Sequence, residues 1–366
     1  MNRRGWLAGS ALASACSLEF SEQDVDGLRL VQAEANANSA GRLGFVVPVE
    51  AGETAFLSNV RSVSGTRLYT ERLEDGAGDL YVASDWWESE RSYTNGAFAA
   101  ATTSLNWPID DDLPLTDDMH LDIASEEPGD ALELSVFLGR SDFGGGRLPV
   151  TITFCGRNAG DAALAAAVDD AIEVWRGIYA PLGVTLDVAF ADYPDASVLG
   201  PPGRGDDGAH WLALSEAGGV GRVNVALVTE IAEWDQAFGV AGDIPGPLIA
   251  SERSGVAVGM SAAAGTNGRF EDAEIRLLGE TFAHEVGHYL GLFHPVEIPL
   301  DATPISHWDG IDDTPECAGV SDCETEMASN LMFPYPVCGL SGRCAAQAEV
   351  TAGQEAAMKR YVGIRP

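Results

Sequence analysis

Residues 284–294 read His-Glu-Val-Gly-His-Tyr-Leu-Gly-Leu-Phe-His. His284 and His288 are four apart, so on a helix they leave the same face one turn from each other. Two imidazole nitrogens placed that way can share one zinc ion. Glu285 follows His284 and sits about 100° further round such a helix, close enough to act on a water at the metal. His294 cannot reach the same point if the helix runs on. Gly291 removes the obstacle, because glycine accepts the left-handed conformation that ends helices and lets the chain turn back. Three neutral nitrogen ligands with a fourth position open make a catalytic rather than a structural zinc set. Given this composition, five such identities coincide by chance on the order of 1 in 100,000 times, so a fortuitous match is not competitive. His120, His210 and His307 have no comparable context and read as ordinary core or surface residues.

Further motifs follow downstream. Asn330-Leu331-Met332-Phe333-Pro334 is a short apolar turn with Met332 at its centre, and residues 309–317 read Asp-Gly-Ile-Asp-Asp-Thr-Pro-Glu-Cys. Together with the histidine run, these resemble the metzincin zinc metallopeptidases, most of all the pappalysin family. The resemblance covers about residues 147–366, with its specific motifs at about 284–338. It implies Zn2+ on His284, His288 and His294, Glu285 as general base and acid, and Met332 as the methionine of the turn beneath the metal. It also implies Ca2+ near the site, for which Asp301, Asp309, Asp312 and Asp313 are the acidic candidates. A solvated acidic loop is the plainer reading of those four residues. Pappalysins usually carry an aromatic residue two after the methionine. Here Pro334 holds that position and Tyr335 follows, so Leu-Met-Phe-Pro stands closer to the Leu-Met-Tyr-Pro turn of matrixins.

These residues need a scaffold. Leu148–Phe154, Val184–Phe190, Val223–Val228 and Val256–Met260 read as strands. Asp161–Tyr179, Ala273–Leu290 and Ala352–Tyr361 read as helices, the first with Gly183 beyond its end. The layout is α+β: a mixed twisted sheet, a histidine-bearing helix and a C-terminal helix. Ser254–Met260, just before the histidine helix, is the expected edge against which an extended substrate would pair, with an interior strand as the alternative. Loops such as Gly239–Pro247 would shape its subsites. The preceding half differs. Leu43–Val49, Thr54–Leu57, Arg67–Leu73, Leu80–Ala83 and Leu132–Leu138 are short strands between turn signals, the last with Leu132, Leu134, Val136 and Leu138 in period two. An all-β sandwich over 31–145 is expected, either accessory module or latency prodomain, ending at the glycine run Gly144-Gly145-Gly146. The catalytic unit then spans 146–366.

The N-terminus reads as an address. Arg3 and Arg4 precede a small apolar stretch to Ala15, and Cys16 follows Leu12-Ala13-Ser14-Ala15. That is a secretory signal over 1–15. It resembles a bacterial lipobox, which implies lipidation at Cys16 and a linker over 16–30; an ordinary signal with a chance cysteine is the alternative. Export agrees with Cys317, Cys323, Cys338 and Cys344, a cluster suited to two disulfides of undetermined pairing, while Cys155 reads as a buried thiol.

With 56 Asp+Glu against 21 Lys+Arg, the 366-residue chain carries a net charge of −35. Phosphate backbones and anionic lipid surfaces repel such a chain, so nucleic acid is not expected as a partner. Lys359 is the only lysine, which fits either GC-rich coding or a salt-tolerant surface. The 46% of hydrophobic residues is ample for a core. The expected function is an exported zinc endopeptidase acting on protein or peptide. A surface binding protein that keeps a structural zinc is the alternative from another class, and a zinc amidase acting on non-peptide bonds is a distant third.

Overall fold

A computed structural model describes residues 18–83, 101–109, 113, 115–196, 198–200, 202, 207–232, 237–260, 270–296, 309–315, 320–338 and 344–366. The signal segment 1–15, Cys16, Asp301, His307 and Cys317 lie outside the described residues.

The first half is built from β1 (Ser21–Val25), β2 (Leu28–Asn36), β3 (Arg42–Val46), β4 (Ala55–Ser62), β5 (Leu68–Glu74), β6 (Leu80–Ala83), β7 (Thr102–Trp107), β8 (His120–Ser125) and β9 (Ala131–Gly139). They form two antiparallel sheets, in the orders β1-β2-β9-β4-β7 and β3-β8-β5-β6. The linker expected over 16–30 is corrected here, because the chain is already strand at Ser21 and Leu28 is buried. Polar side chains at Ser21–Asp24 disguise β1, an edge strand with little to bury.

Side-chain alternation assigns the two faces of the first sheet to two different cores. Val31, Phe56, Val60 and Val136 pack with Phe45, Leu73 and Leu121 of the second sheet. Leu28, Leu30, Ala55, Leu57 and Phe137 point the other way and join the core of the second half. The first sheet is therefore a middle layer. That explains why β9 is buried on both faces, although its leucines and Val136 alternate as if one face met water.

The second half contains β10 (Gly146–Cys155), α1 (Ala162–Tyr179), β11 (Val184–Tyr193), β12 (Val198–Leu199), α2 (Asp207–Gly218), β13 (Val223–Val228), β14 (Glu230–Ile231), β15 (Gly239–Ala241), β16 (Val256–Gly259), α3 (Asp272–Tyr289), α4 (Val320–Met327) and α5 (Ala352–Lys359). Its main sheet runs β11-β10-β13-β16-β15, parallel except for β15. Helices cover both faces, so its central strands β13 and β16 are buried on both sides and mostly apolar. Val225, Leu227, Val256 and Val258 meet α1 and α3. Ala226, Val228 and Ala257 meet Trp211 and Leu214 of α2. The whole is a mixed α and β fold with several sheets and few helices among the described residues.

Two local rules set the helices that matter. The Asp161 carboxylate accepts hydrogen bonds from Ala163 N and Leu164 N and starts α1, while Gly183, at φ 71°, closes the turn beyond it. The Glu274 carboxylate accepts the Glu271 N–H at 2.8 Å and starts α3. The two helices cross closely: a Cβ on Gly279 would lie 2.5 Å from the Ala171 carbonyl oxygen. Trp175 packs on Phe282 beside that crossing, with ring centroids 5.9 Å apart. Helix α2 escapes a periodicity reading because Trp211, Leu212, Ala213 and Leu214 run consecutively through it.

Candidate metal centre

Helix α3 carries His284 and His288 on one face and ends at Tyr289. Gly291 has φ 109°; its N–H donates to the His288 carbonyl at 2.9 Å and the Leu292 N–H to the Gly287 carbonyl at 3.1 Å. These are the two bonds of a Schellman stop, which reverses the chain. His294 consequently returns to the helix face. Its Nε2 lies 3.2 Å from His284 Nε2 and 3.1 Å from His288 Nε2. Among the described residues these three form a group able to hold a metal ion, their ligand atoms all within 4.8 Å of one another.

The tautomers are constrained by the backbone. His284 Nδ1 lies 2.6 Å from the Leu331 carbonyl oxygen, and His288 Nδ1 lies 2.7 Å from that of Leu292. A carbonyl only accepts, so each Nδ1 carries a proton, and in the neutral ring Nε2 is then the nitrogen with the lone pair. Burial, followed by the neighbouring rings of His294 and His284, holds His288 well below its ordinary pKa and keeps it neutral. Neutral imidazoles with oriented Nε2 atoms are what a metal requires. Sequence spacing could not reveal the two carbonyls, because every residue carries one.

Glu285 is buried, and its carboxyl is pushed up to about 8 by burial, against the opposing pull of a backbone hydrogen bond from Ala241. A bound cation would draw it down again. Ala241 belongs to β15, which runs beside the helix so closely that a Cβ on Gly239 would sit 2.4 Å from Glu285 Cγ. Among the described residues, strand β15 is the sheet edge on this side. The edge expected at Ser254–Met260 is thus corrected: β16 is interior, paired on both sides by β13 and β15. Three residues, two of them Gly and Ala, are too short and plain to read as a strand.

Met332 is fully buried, and its sulfur would lie 2.7 Å from a Cβ on Gly287, between the two helical histidines. The turn around it is clamped. Met332 N donates to Asn330 Oδ1 at 2.9 Å, and Asn330 and Gln354 of α5 exchange side-chain hydrogen bonds of 2.8 and 3.2 Å. Gln347 Nε2 donates to the Phe333 and Tyr335 carbonyls at 2.9 and 3.2 Å, pinning the following segment. Tyr335 itself turns to Glu324 of α4, with its hydroxyl 2.6 Å from Oε1. Its phenol is pushed up to about 12 by burial and that carboxylate.

Among the described residues, Asp309, Asp312 and Asp313 do not form a group able to hold a metal ion. Asp309 is buried, accepting from Thr314 Oγ1 at 2.6 Å and Ile311 N at 3.1 Å. Asp313 accepts from Thr351 Oγ1 at 2.7 Å and Gly353 N at 2.8 Å, which ties the loop to the start of α5. Asp312 is exposed. Two of the three carboxylates are engaged in holding the loop, and calcium binding is not supported. Cys338 and Cys344 are joined, Cys323 is also disulfide-bonded, and Cys155 is a buried free thiol pushed up to about 12 by burial. His120 lies on β8, and the His210 ring stands edge-on to Tyr193.

No family model matches the chain, and no curated protein matches it. Solved structures with similarity include archaemetzincin from Methanopyrus kandleri, at 15% identity and TM-score 0.29, covering 40% of this chain and 76% of that one. Metalloproteinase-II from Bacteroides fragilis is 12% identical at TM-score 0.27, covering 73% and 78%. The CBM22-1 xylan-binding domain from Paenibacillus barcinonensis Xyn10C is 15% identical at TM-score 0.19, covering 34% and 83%. Likeness at this level assigns neither family nor substrate. The donor set itself fits a metal, because three imidazole ligand atoms lie within 4.8 Å of one another, with the buried Glu285 one residue after His284 on the same helix.

Proposed function

We propose that the chain is a zinc-dependent endopeptidase of the metzincin type, with His284, His288 and His294 as zinc ligands and Glu285 as general base and acid. One observation carries the reading: three imidazole Nε2 atoms converge, two pairs of them 3.1 and 3.2 Å apart, and the residue after His284 on its helix is the buried Glu285. Zinc, when bound, supplies Lewis-acid polarisation of the scissile carbonyl and makes a water acidic enough to lose its proton near neutral pH. The chain's own residues do the rest. Glu285, dry and fixed against β15, takes the proton of the attacking water and hands it to the leaving amine. The outer side of β15 presents to an extended peptide the backbone groups left after the Ala241 N–H is given to Glu285. Met332 fills the space under Gly287 and fixes the floor of the site. The pappalysin-like wording of residues 284–294 and 309–315 supports that family; the turn at Met332 leaves matrixins second.

The mature protein is read as exported, with 1–15 removed, Cys16 lipidated and 146–366 forming the peptidase unit. The clustered disulfides support an oxidising compartment.

The test is cleavage of casein and a quenched peptide library by purified mature protein, with metal content measured in parallel. Wild type should cleave, and a chelator should abolish cleavage until zinc is restored. Glu285→Gln should bind zinc stoichiometrically yet lose about 10²–10⁴-fold in kcat. Equal inactivity of wild type and variant, with zinc bound to both, would instead make the site structural.

A further inference from the structure

The chain that leaves the edge strand runs beside α3 and is gripped at successive points. Ala241 donates a backbone hydrogen bond to Glu285. Gly246 N donates to the Tyr289 carbonyl at 2.9 Å, and the Tyr289 hydroxyl donates to the Pro247 carbonyl. A Cβ on Gly246 would lie 2.0 Å from the Tyr289 ring, so this approach requires glycine. The next grip comes from the other half of the molecule: Leu248 N donates to Asn59 Oδ1 at 3.3 Å.

Asn59 is fully buried on β4, on the same face as Ala55 and Leu57. Its amide is held from behind, Nδ2 donating to the Ser58 carbonyl at 3.0 Å and to Ser104 Oγ at 3.1 Å. Around it Leu248, Tyr361, Val362 and Ile364 share one core with Leu28, Leu57 and Phe137 of the first sheet. Asn106 of β7 treats the chain end as a strand would, donating to the Arg360 carbonyl and accepting from Val362 N, both at 2.9 Å. At the margin, Asp26 pairs with Arg147 at 2.7 Å and also with Arg365.

A removable prodomain would meet its enzyme across a separable surface, more polar than a core. This boundary is instead apolar, continuous with the main core, and stitched by the buried amide of Asn59 and the half-buried amide of Asn106, which separation would strand. We propose that the N-terminal β unit is a permanent layer of the molecule and that Asn59 is a positioning residue. It acts through Leu248 to set the loop end of segment 239–248, and with it the peptide edge of β15. The positioning half rests on the peptidase reading above; the permanence half does not.

Two measurements test permanence. Calorimetry of the intact wild-type chain should give one unfolding transition for both halves, and two resolved transitions would overturn the proposal. A site for a specific protease, inserted after Asp142 in a chain checked for native circular dichroism, should be cut without the pieces parting on gel filtration. Release of the N-terminal piece under native conditions, with a rise in peptide cleavage, would establish a prodomain instead. For positioning, Asn59→Leu should keep full zinc content and leave kcat within about two-fold while raising the peptide KM by about five-fold or more. Unchanged KM in a folded Asn59→Leu protein would overturn it. If wild type cleaves nothing, the peptidase reading fails, while the calorimetry and cut-chain results stand by themselves.

Discussion

At the residue scale the site depends on absent atoms as much as on present ones. Gly239 has no positive φ and no turn to make; it is glycine because Glu285 occupies the place a Cβ would take, 2.4 Å from Cγ. Gly239→Ala must displace the carboxylate or the edge strand. We expect full zinc content and a fall in kcat of about ten-fold or more, read by steady-state kinetics beside metal analysis. Gly287 meets Met332 in the same way, at 2.7 Å from sulfur. Gly287→Ala should lower unfolding free energy by about 1–3 kcal/mol, the usual consequence of overpacking, measured by urea titration. Neither glycine was legible as functional in the sequence, where one stands in an irregular stretch and the other inside a helix. Gly291 was legible because the return of His294 demands a reversal at that point.

At the element scale, the segment between β15 and β16 joins the edge strand to the rest of the sheet and hides a charge. Asp243 is buried with Arg253 Nη2 at 3.6 Å, and burial pushes its carboxyl up to about 7 despite that partner. A folded pKa above the unfolded one means the native state holds the proton longer. This group's contribution to stability is therefore complete below about 3.8 and is lost as pH rises to about 7. Wild type compared with Asp243→Asn should lose relative stability across that window and stay level above it, as followed by denaturant unfolding at several pH values. A difference that grows in wild type's favour with rising pH would refute the burial argument. The element itself was half legible. Its glycines and prolines marked a loop, but the three-residue antiparallel return of β15 carries too little apolar pattern, so the neighbouring valine-rich β16 took the role of edge in the sequence reading.

At the scale of the whole molecule, charge and layering decide behaviour. A chain at −35 repels itself, and salt screens that repulsion over about 8–10 Å. The melting temperature should rise with added NaCl from low ionic strength; a steady fall would mean that ion pairs such as Asp26 with Arg147 outweigh the net charge. The halves are bound through a shared core that composition alone could not announce. In the sequence, β9 looks like a strand with one wet face, because its second face presents Glu133, Ser135 and Phe137, a mixture that reads as polar until Phe137 is seen packed on the other half.

What the sequence determined by itself is local: the helical pair of histidines, the glycine that reverses the chain, the carboxylate beside them, the apolar strands and the capped helices. Each follows from spacing of a few residues and from backbone sterics, which act at short range. The tertiary structure alone decided which carbonyls orient the rings, which strand forms the sheet edge, what lies opposite Glu285, and that the first sheet is a middle layer. Those contacts join residues dozens to hundreds of positions apart, as Asn59 meets Leu248 and Asn106 meets Val362, and no periodicity records a partner at that distance.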